Sequence, residues 1–419
     1  MSKNNLISSF LPNDLLYDLQ IKEEDLKKIE EYTEKTKDTN SQTVYFNLDF
    51  FSSNNSSKSC EEYKEKENNE IIDNHSKNCN ISSNNISIFF QNKHSENDFE
   101  KLLKSCSGSH YLQELAENIT NEEIDLIFRK LSSKIKQIMC DSYGNYFLQK
   151  IIEKTDFKQR INLLNDIKDD FINISKDISG SHCIQTLIEK INTDEEEEII
   201  KSLIEKDLFD LTISQNSTHV ILKLVNNINI PKRHYLIQFC IDNFISLSIN
   251  LNGSTIIKKF ISQVNNFQII QMIIIICELN YVKIVENQFG NYVIQDIFQY
   301  FGFNNCKCII NNIVKDSTYF SIQKYASNVI DKVAIILRNN DNILFFHLVE
   351  NLLFIYNNFI KLIENKFGTF VLCNLLKLLK PSEKIYIKNI IINMNSRHFF
   401  NKSNLFINAN LGKFLCLLN

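Results

Sequence analysis

Asn145, Tyr146 and Gln149 lie in the string Gly144-Asn145-Tyr146-Phe147-Leu148-Gln149, and nearly the same string returns as Gly290-Asn291-Tyr292-Val293-Ile294-Gln295. A carboxamide offers both a donor and an acceptor, and an aromatic ring offers a face for stacking. On a helix the two amides stand about one turn apart, on the same side. Such a set suits the edge and the face of one flat, polar ligand. The remaining question is which elements present it, and how often.

With the glycine as anchor, similar strings begin at Gly108, Gly144, Gly180, Ser217, Gly253, Gly290, Ala326 and Gly368. Successive steps are 36, 36, 37, 36, 37, 36 and 42 residues. A period of about 36 marks a solenoid or an array. The third, fourth, seventh and eighth residues after each anchor are apolar, as in Phe147, Leu148, Ile151 and Ile152 or Val293, Ile294, Ile297 and Phe298. That spacing is one stripe of an α-helix, and strand alternation is absent. Each unit predicts a motif helix, a second helix and a short third one; in the second unit these run over 145–154, 157–168 and 171–175.

The first, second and fifth residues after the anchor fall on a different arc of the same helix, and the expectation is that they point away from the core together. They are Ser109, His110 and Gln113; Asn145, Tyr146 and Gln149; Ser181, His182 and Gln185; Thr218, His219 and Leu222; Ser254, Thr255 and Lys258; Asn291, Tyr292 and Gln295; Ser327, Asn328 and Asp331; and Thr369, Phe370 and Cys373. A merely solvated face would favour Lys and Glu. Most of these sets instead place an amide, hydroxyl or acid beside a ring.

On these residues the chain, over about 95–419, resembles the Pumilio (PUF) family of RNA-binding proteins. The longer step before the last unit also resembles that family, which carries extra residues between its seventh and eighth repeats. The resemblance implies an all-α, right-handed α-solenoid crescent of eight three-helix repeats with capping helices at both ends. It implies single-stranded RNA on the concave face, one base per repeat, with the ring at the second position stacking between bases. It further implies pairing rules. Asn with Gln (Asn145/Gln149, Asn291/Gln295) resembles a uracil reader, and Ser with Gln (Ser109/Gln113, Ser181/Gln185) an adenine reader. Ser327 with Asp331 resembles the family's Ser/Glu guanine reader, one methylene shorter. With the RNA 5′ end at the last repeat, the implied target is x-G-U-x-x-A-U-A.

Three units depart from the pattern. Thr218/Leu222 lacks the paired edge contact, although His219 can stack. Beside Ser254, Thr255 offers a poor platform, and Lys258 replaces the amide, suiting a phosphate. Thr369/Cys373 replaces the expected uracil pair, while Phe370 remains a stacker.

Composition sets bounds. The 419 residues carry a formal net charge of −4, so no bulk basic signal for nucleic acid is present. Residues 1–95 hold 16 acidic and 11 basic residues, leaving 34 and 35 for the rest. The acidic run Asp194 to Glu198 is expected to be a solvated helix start. The 11 cysteines are scattered and are expected to be buried, reduced thiols. His110, His182 and His219 sit a repeat apart, too far to share one metal ion. Eight glycines in the whole chain exclude a phosphate-binding Gly-rich loop. No cofactor and no catalysis are expected. Residues 1–16 lack the basic and apolar regions of a secretory leader, and the apolar run Met272 to Cys277 is too short to span a bilayer.

Residues 1–80, rich in Asn, Ser, Lys and Glu, are expected to be a disordered tail, with a short amphipathic helix within Leu11 to Glu34. Residues 81–419 are expected to form the repeat domain. Ile88 to Ser105 supplies its entry helices, and a C-terminal cap starts near 385 and includes a truncated motif at Gly412-Lys413-Phe414-Leu415. The resemblance implies a monomeric, cytoplasmic regulator without membrane attachment, acting through mRNA 3′ untranslated regions of the UGU…AUA type, with deadenylase or translational-repressor partners on the convex face. Two alternatives stand beside it: a nucleolar Pumilio-like protein of ribosome assembly, and an armadillo-like scaffold that binds only protein.

Overall fold

The computed structural model describes residues 86–90, 93–228, 230–397 and 414. The expected tail, its amphipathic helix, and the final motif apart from Phe414 lie outside these residues. Among the described residues all regular structure is helical, and the fold is an all-α solenoid. They pack as two compact units, residues 86–234 and residues 235–397 with Phe414.

In the first unit the motif helices are Cys106–Leu115, Gly144–Ile152, Gly180–Lys190 and Ser217–Val225. The second unit carries Leu251–Gln263, a helix from Gly290, Ala326–Asn340 and Lys366–Lys377. All eight anchors therefore fall in the first turns of helices. The second repeat runs Gly144–Ile152, Phe157–Ile167 and Phe171–Lys176, within two residues of expectation. The apolar stripe is buried throughout, except that Tyr111 is only half-buried.

The anchors have a steric reason. A Cβ on Gly290 would lie 2.5 Å from the Ile284 carbonyl oxygen, and one on Gly180 2.6 Å from that of Ile174. At the glycine anchors the short helix before the anchor crosses the motif helix too closely for a side chain to fit without a shift. The start of that helix is also capped. Asp141 Oδ1 accepts from the amides of Tyr143 (2.9 Å) and Gly144 (2.8 Å), and Asp177 Oδ1 from Ser179 (2.9 Å) and Gly180 (2.8 Å). Asn250, Asn287 and Asn365 do the same for Gly253, Gly290 and Gly368.

The second helices of the first unit hold the principal departure from the sequence reading. Asp194 to Glu198 is not simply a solvated start, because Glu196 and Glu197 are buried. Glu196 Oε1 accepts from Arg160 Nε at 2.5 Å, while its Oε2 accepts from the Thr193 amide and hydroxyl in a capping box. Glu197 takes a forked contact from Arg233, with Nη2 at 2.6 Å and Nε at 3.0 Å. Each Arg comes from an adjacent repeat, where the linear sequence gives no hint of it.

Entry and exit are apolar. Phe89 and Phe99 are buried with ring centroids 5.4 Å apart, and Phe99 meets Phe147 edge-on at 5.6 Å. At the other end the helix Pro381–Arg397 begins four residues before the expected cap and buries Ile387 and Ile391. Phe414 is buried 5.4 Å from Phe359. The long step before the last anchor is taken up by a 15-residue motif helix, Ala326–Asn340, and a π-helical turn at Glu350–Phe354.

Two further expectations change. The apolar run near Met272 belongs to Phe267–Val285, which at 19 residues is long and apolar enough to cross a membrane. It is broken at Asn280 and joins the second and third helices of its repeat, burying Ile273, Ile274, Cys277 and Ile284. Of the described cysteines only Cys183, Cys240, Cys277 and Cys306 are buried; Cys106 is exposed.

Candidate nucleic-acid interface

The three reading positions are not equivalent. The second is exposed in every repeat: Tyr146 at 56%, Tyr292 at 55% and Phe370 at 54%, with His110, His182, His219, Thr255 and Asn328 likewise outward. The fifth is half-buried, at Gln113, Gln149, Gln185, Leu222, Lys258, Gln295, Asp331 and Cys373. The first is buried in all eight, from Ser109, Asn145, Ser181 and Thr218 to Ser254, Asn291, Ser327 and Thr369. This corrects the expectation that all three point outward together. At about 100° per residue the first position lies only about 20° from the eighth, at the edge of the apolar stripe, whereas the second is nearly opposite its centre.

Burial ties the first position to backbone. Asn145 Nδ2 donates to the Asp141 carbonyl at 2.7 Å, and Asn291 Nδ2 to those of Asn287 and Gln288 at 2.9 Å. The hydroxyls do likewise: Ser109 to Tyr143 (2.7 Å), Ser254 to Leu251 (2.8 Å), Ser181 to Ile178 (3.0 Å) and Thr369 to Asn365 (3.0 Å). Thr218 is the exception, its buried Oγ1 having no partner.

The fifth position closes over the first. Gln149 Nε2 donates to Asn145 Oδ1 at 2.8 Å. Gln295 Nε2 reaches the Asn291 backbone oxygen at 2.9 Å and its Oδ1 at 3.4 Å. Gln113 Nε2 lies 3.2 Å from both oxygens of Ser109. The Asn–Gln pair thus holds an acceptor and a donor side by side beneath an exposed ring, which matches the mixed edge of a planar base.

A further position, the sixth, escaped the sequence reading. At about 240° on the wheel it flanks the second position on its far side, so periodicity could have found it. At three helix pairs it addresses the fifth position of the preceding repeat, while Lys150 and Lys223 at the sixth position instead pair with Glu117 and Glu189. Thr186 Oγ1 approaches Gln149 Oε1 at 3.4 Å, and Asn374 Nδ2 donates to Asp331 Oδ2 at 2.9 Å. Lys258 acts on Asp296 through its charge, with no direct ion pair between them among the described residues. Burial raises the Asp296 carboxyl above its usual range, opposed by the charges of Lys258 and then Lys332. Asp331 is raised further, to about 6, chiefly by burial and against the Asn374 hydrogen bond and the Lys377 charge.

Comparison with known proteins agrees with this geometry. The family model of the Pumilio-family RNA binding repeat matches residues 101–132, 134–168, 170–204 and 280–314, which contain the anchors Gly108, Gly144, Gly180 and Gly290. A Pumilio domain-containing protein of Schizosaccharomyces pombe is 25% identical over 265 residues, covering 62% of this chain and 38% of that protein. Pumilio homolog 12 of Arabidopsis thaliana is 24% identical over 238 residues, covering 55% of this chain and 39% of that protein. The chain therefore aligns with about two fifths of each relative. Among solved structures, the Puf4 RNA binding domain bound to an HO endonuclease RNA 3′ UTR recognition sequence superposes with a TM-score of 0.63 at 23% identity, covering 74% of this chain and 97% of that one. The RNA-binding domain of yeast Puf5p bound to MFA2 RNA gives 0.61 at 22%, covering 76% and 96%. With the motif register, the burial pattern and the matched segments in agreement, the chain carries four repeats that match the Pumilio-family RNA binding repeat, within the fold of the solved Puf domains.

Proposed function

We propose that this protein binds single-stranded mRNA in a sequence-specific manner and regulates it after transcription, through 3′ untranslated elements of the UGU…AUA type. The observation that carries the reading is the Asn145–Gln149 pair beneath exposed Tyr146, repeated at Asn291, Gln295 and Tyr292. The free face of each amide pair complements uracil, whose N3–H donates between two carbonyl acceptors. The solved Puf4 and Puf5p domains are bound to RNA, which supports the same ligand here.

On this reading the second compact unit reads the G-U of the target through Asp331 and the Asn291/Gln295 pair. The first reads A-U-A through Ser181/Gln185, Asn145/Gln149 and Ser109/Gln113. Units anchored at Ser217, Gly253 and Gly368 are permissive. The protein acts in the cytoplasm as a repressor or decay factor, recruiting deadenylase or translational-repressor proteins.

The test is fluorescence anisotropy of the full chain with an RNA containing UGUAAAUA, at a fixed salt concentration because affinity varies with salt. Tight binding that is lost when only the guanine is changed, and lost again in Asn291→Ala/Gln295→Ala, is the expected result. Equal weak binding to both RNAs would reject sequence specificity.

A further inference from the structure

We propose that Asn374 is a positioning residue for base recognition by Asp331, acting from the next motif helix and from outside the three reading positions. This inference rests on the RNA-binding reading above.

Asp331 and Asn374 sit on Ala326–Asn340 and Lys366–Lys377, both in the second compact unit. Asn374 Nδ2 donates to Asp331 Oδ2 at 2.9 Å, and Lys377 Nζ donates to Asn374 Oδ1 at 2.9 Å. The carboxylate on one side and the ammonium on the other fix the amide orientation. Turned over, it would set oxygen against oxygen and NH₂ against ammonium. Asp331 Oδ2 is thereby anchored, while among the described residues Oδ1 accepts no hydrogen bond.

The anchoring matters because Asp331 is short and half-buried. A free aspartate rotates about χ1 and χ2, and few of its rotamers bring an oxygen to a base stacked one turn above. Guanine presents two adjacent donors, N1–H and N2–H₂, to an ionised carboxylate. A protonated carboxyl is also a donor and loses that discrimination, accommodating the N1 acceptor of adenine. The Asn374 amide and the Lys377 charge both favour the ionised form, against the burial that opposes it. Asn374 therefore has two effects on one atom pair: it aims the carboxylate and it keeps the proton off.

Two other helix pairs place the same two positions near one another. Thr186 meets Gln149 in the first unit, and Asp296 senses Lys258 in the second, at the same two positions. In each case the sixth residue of one motif helix addresses the fifth residue of the preceding one.

The experiment measures binding of the full chain to five RNAs between pH 5 and 8: UGUAAAUA, its variants with A, C or U as second base, and one with its seventh base, the uracil opposite Asn145, changed to C. The proteins are unmodified, Asn374→Leu and Asn374→Gln. Asn374→Leu is expected to lose about tenfold of the guanine-over-adenine preference, and its remaining guanine binding to fail at higher pH than in the unmodified chain. Asn374→Gln, which keeps the amide, is expected to recover part of both. The cost of changing the uracil opposite Asn145 stays constant in all three proteins, which shows that the variants are folded. Unchanged guanine preference and pH profile in Asn374→Leu would overturn the role of Asn374 alone. No RNA binding by the unmodified chain would overturn the functional reading, and this role with it.

Discussion

Ser217 Oγ donates to the Leu211 carbonyl at 2.8 Å, and this is the carbonyl that, at the glycine anchors, leaves no room for a Cβ. At Ser217, where glycine is missing, the hydroxyl converts a close approach into a hydrogen bond, whereas Ala326 places a buried methyl at the equivalent anchor. Gly290→Ala should therefore destabilise the protein, by about 1–3 kcal/mol, as overpacking does. Ser217→Ala should cost a similar amount by leaving the buried Leu211 carbonyl without its donor. Urea unfolding of each variant measures both.

The Arg160–Glu196 pair gives a second expectation. Removing one partner alone, as in Arg160→Met, leaves a buried charge and should cost about 3–5 kcal/mol. Arg160→Met/Glu196→Leu should cost clearly less than the sum of the single changes, which a double-mutant cycle reads directly. The Glu196 carboxyl is held below its usual value of 4.5: burial raises it, but hydrogen bonds from Arg160, Thr193 and the Asn192 backbone more than offset that. Its contribution to stability is thus present above about pH 4.5 and lost as pH falls through the lower folded value.

Asp331 runs in the opposite sense. Its folded carboxyl holds a proton up to about pH 6, whereas in the unfolded chain it titrates near 3.8. Between those values the folded state binds more protons, so this group lowers stability as pH rises from about 4 to 6. Asp331→Asn should raise the Tm at pH 7, by on the order of 1 kcal/mol of stability, with no gain at pH 3.5. Guanine-dependent binding moves the other way and is lost in the same variant, so differential scanning calorimetry and anisotropy separate the two effects.

Rings and amides should also part company. Tyr292→Ala, at an exposed site, should weaken RNA binding by about 1–3 kcal/mol with the Tm unchanged. Asn291→Ala should weaken binding and also lower the Tm, because Asn291 is 0% exposed and bonded to Asn287 and Gln288. Parallel anisotropy and thermal melts of the two variants test this.

The helices and their apolar stripe were legible because each repeat buries the same four positions, and burial is what periodicity encodes. Tyr146, Tyr292 and Phe370 were legible for the complementary reason, being apolar rings opposite that stripe. Burial of Asn145 and Asn291 was not, since polarity alone suggests exposure, while the backbone carbonyls that satisfy them depend on the turn before the anchor. Glu196 and Glu197 looked solvated for a related reason. Their arginine partners lie 36 residues away, and only stacking brings them together. Asn374 was missed because its meaning depends on the neighbouring helix.

The side-chain caps on the motif helices carry a last consequence. A bare helix start attracts phosphate through its unpaired amides, but here Asp141, Asp177, Asn250, Asn287 and Asn365 already occupy them. Two of those caps are themselves anionic. The nucleic-acid backbone is thus offered little by the main chain, in a protein whose overall charge is −4. On the proposed reading, attraction to polyanions as such is expected to be weak, and discrimination to fall on the bases. Affinity for a matched RNA, on that same RNA-binding reading, is expected to decline only gently as ionic strength rises, which a salt titration of the binding measures.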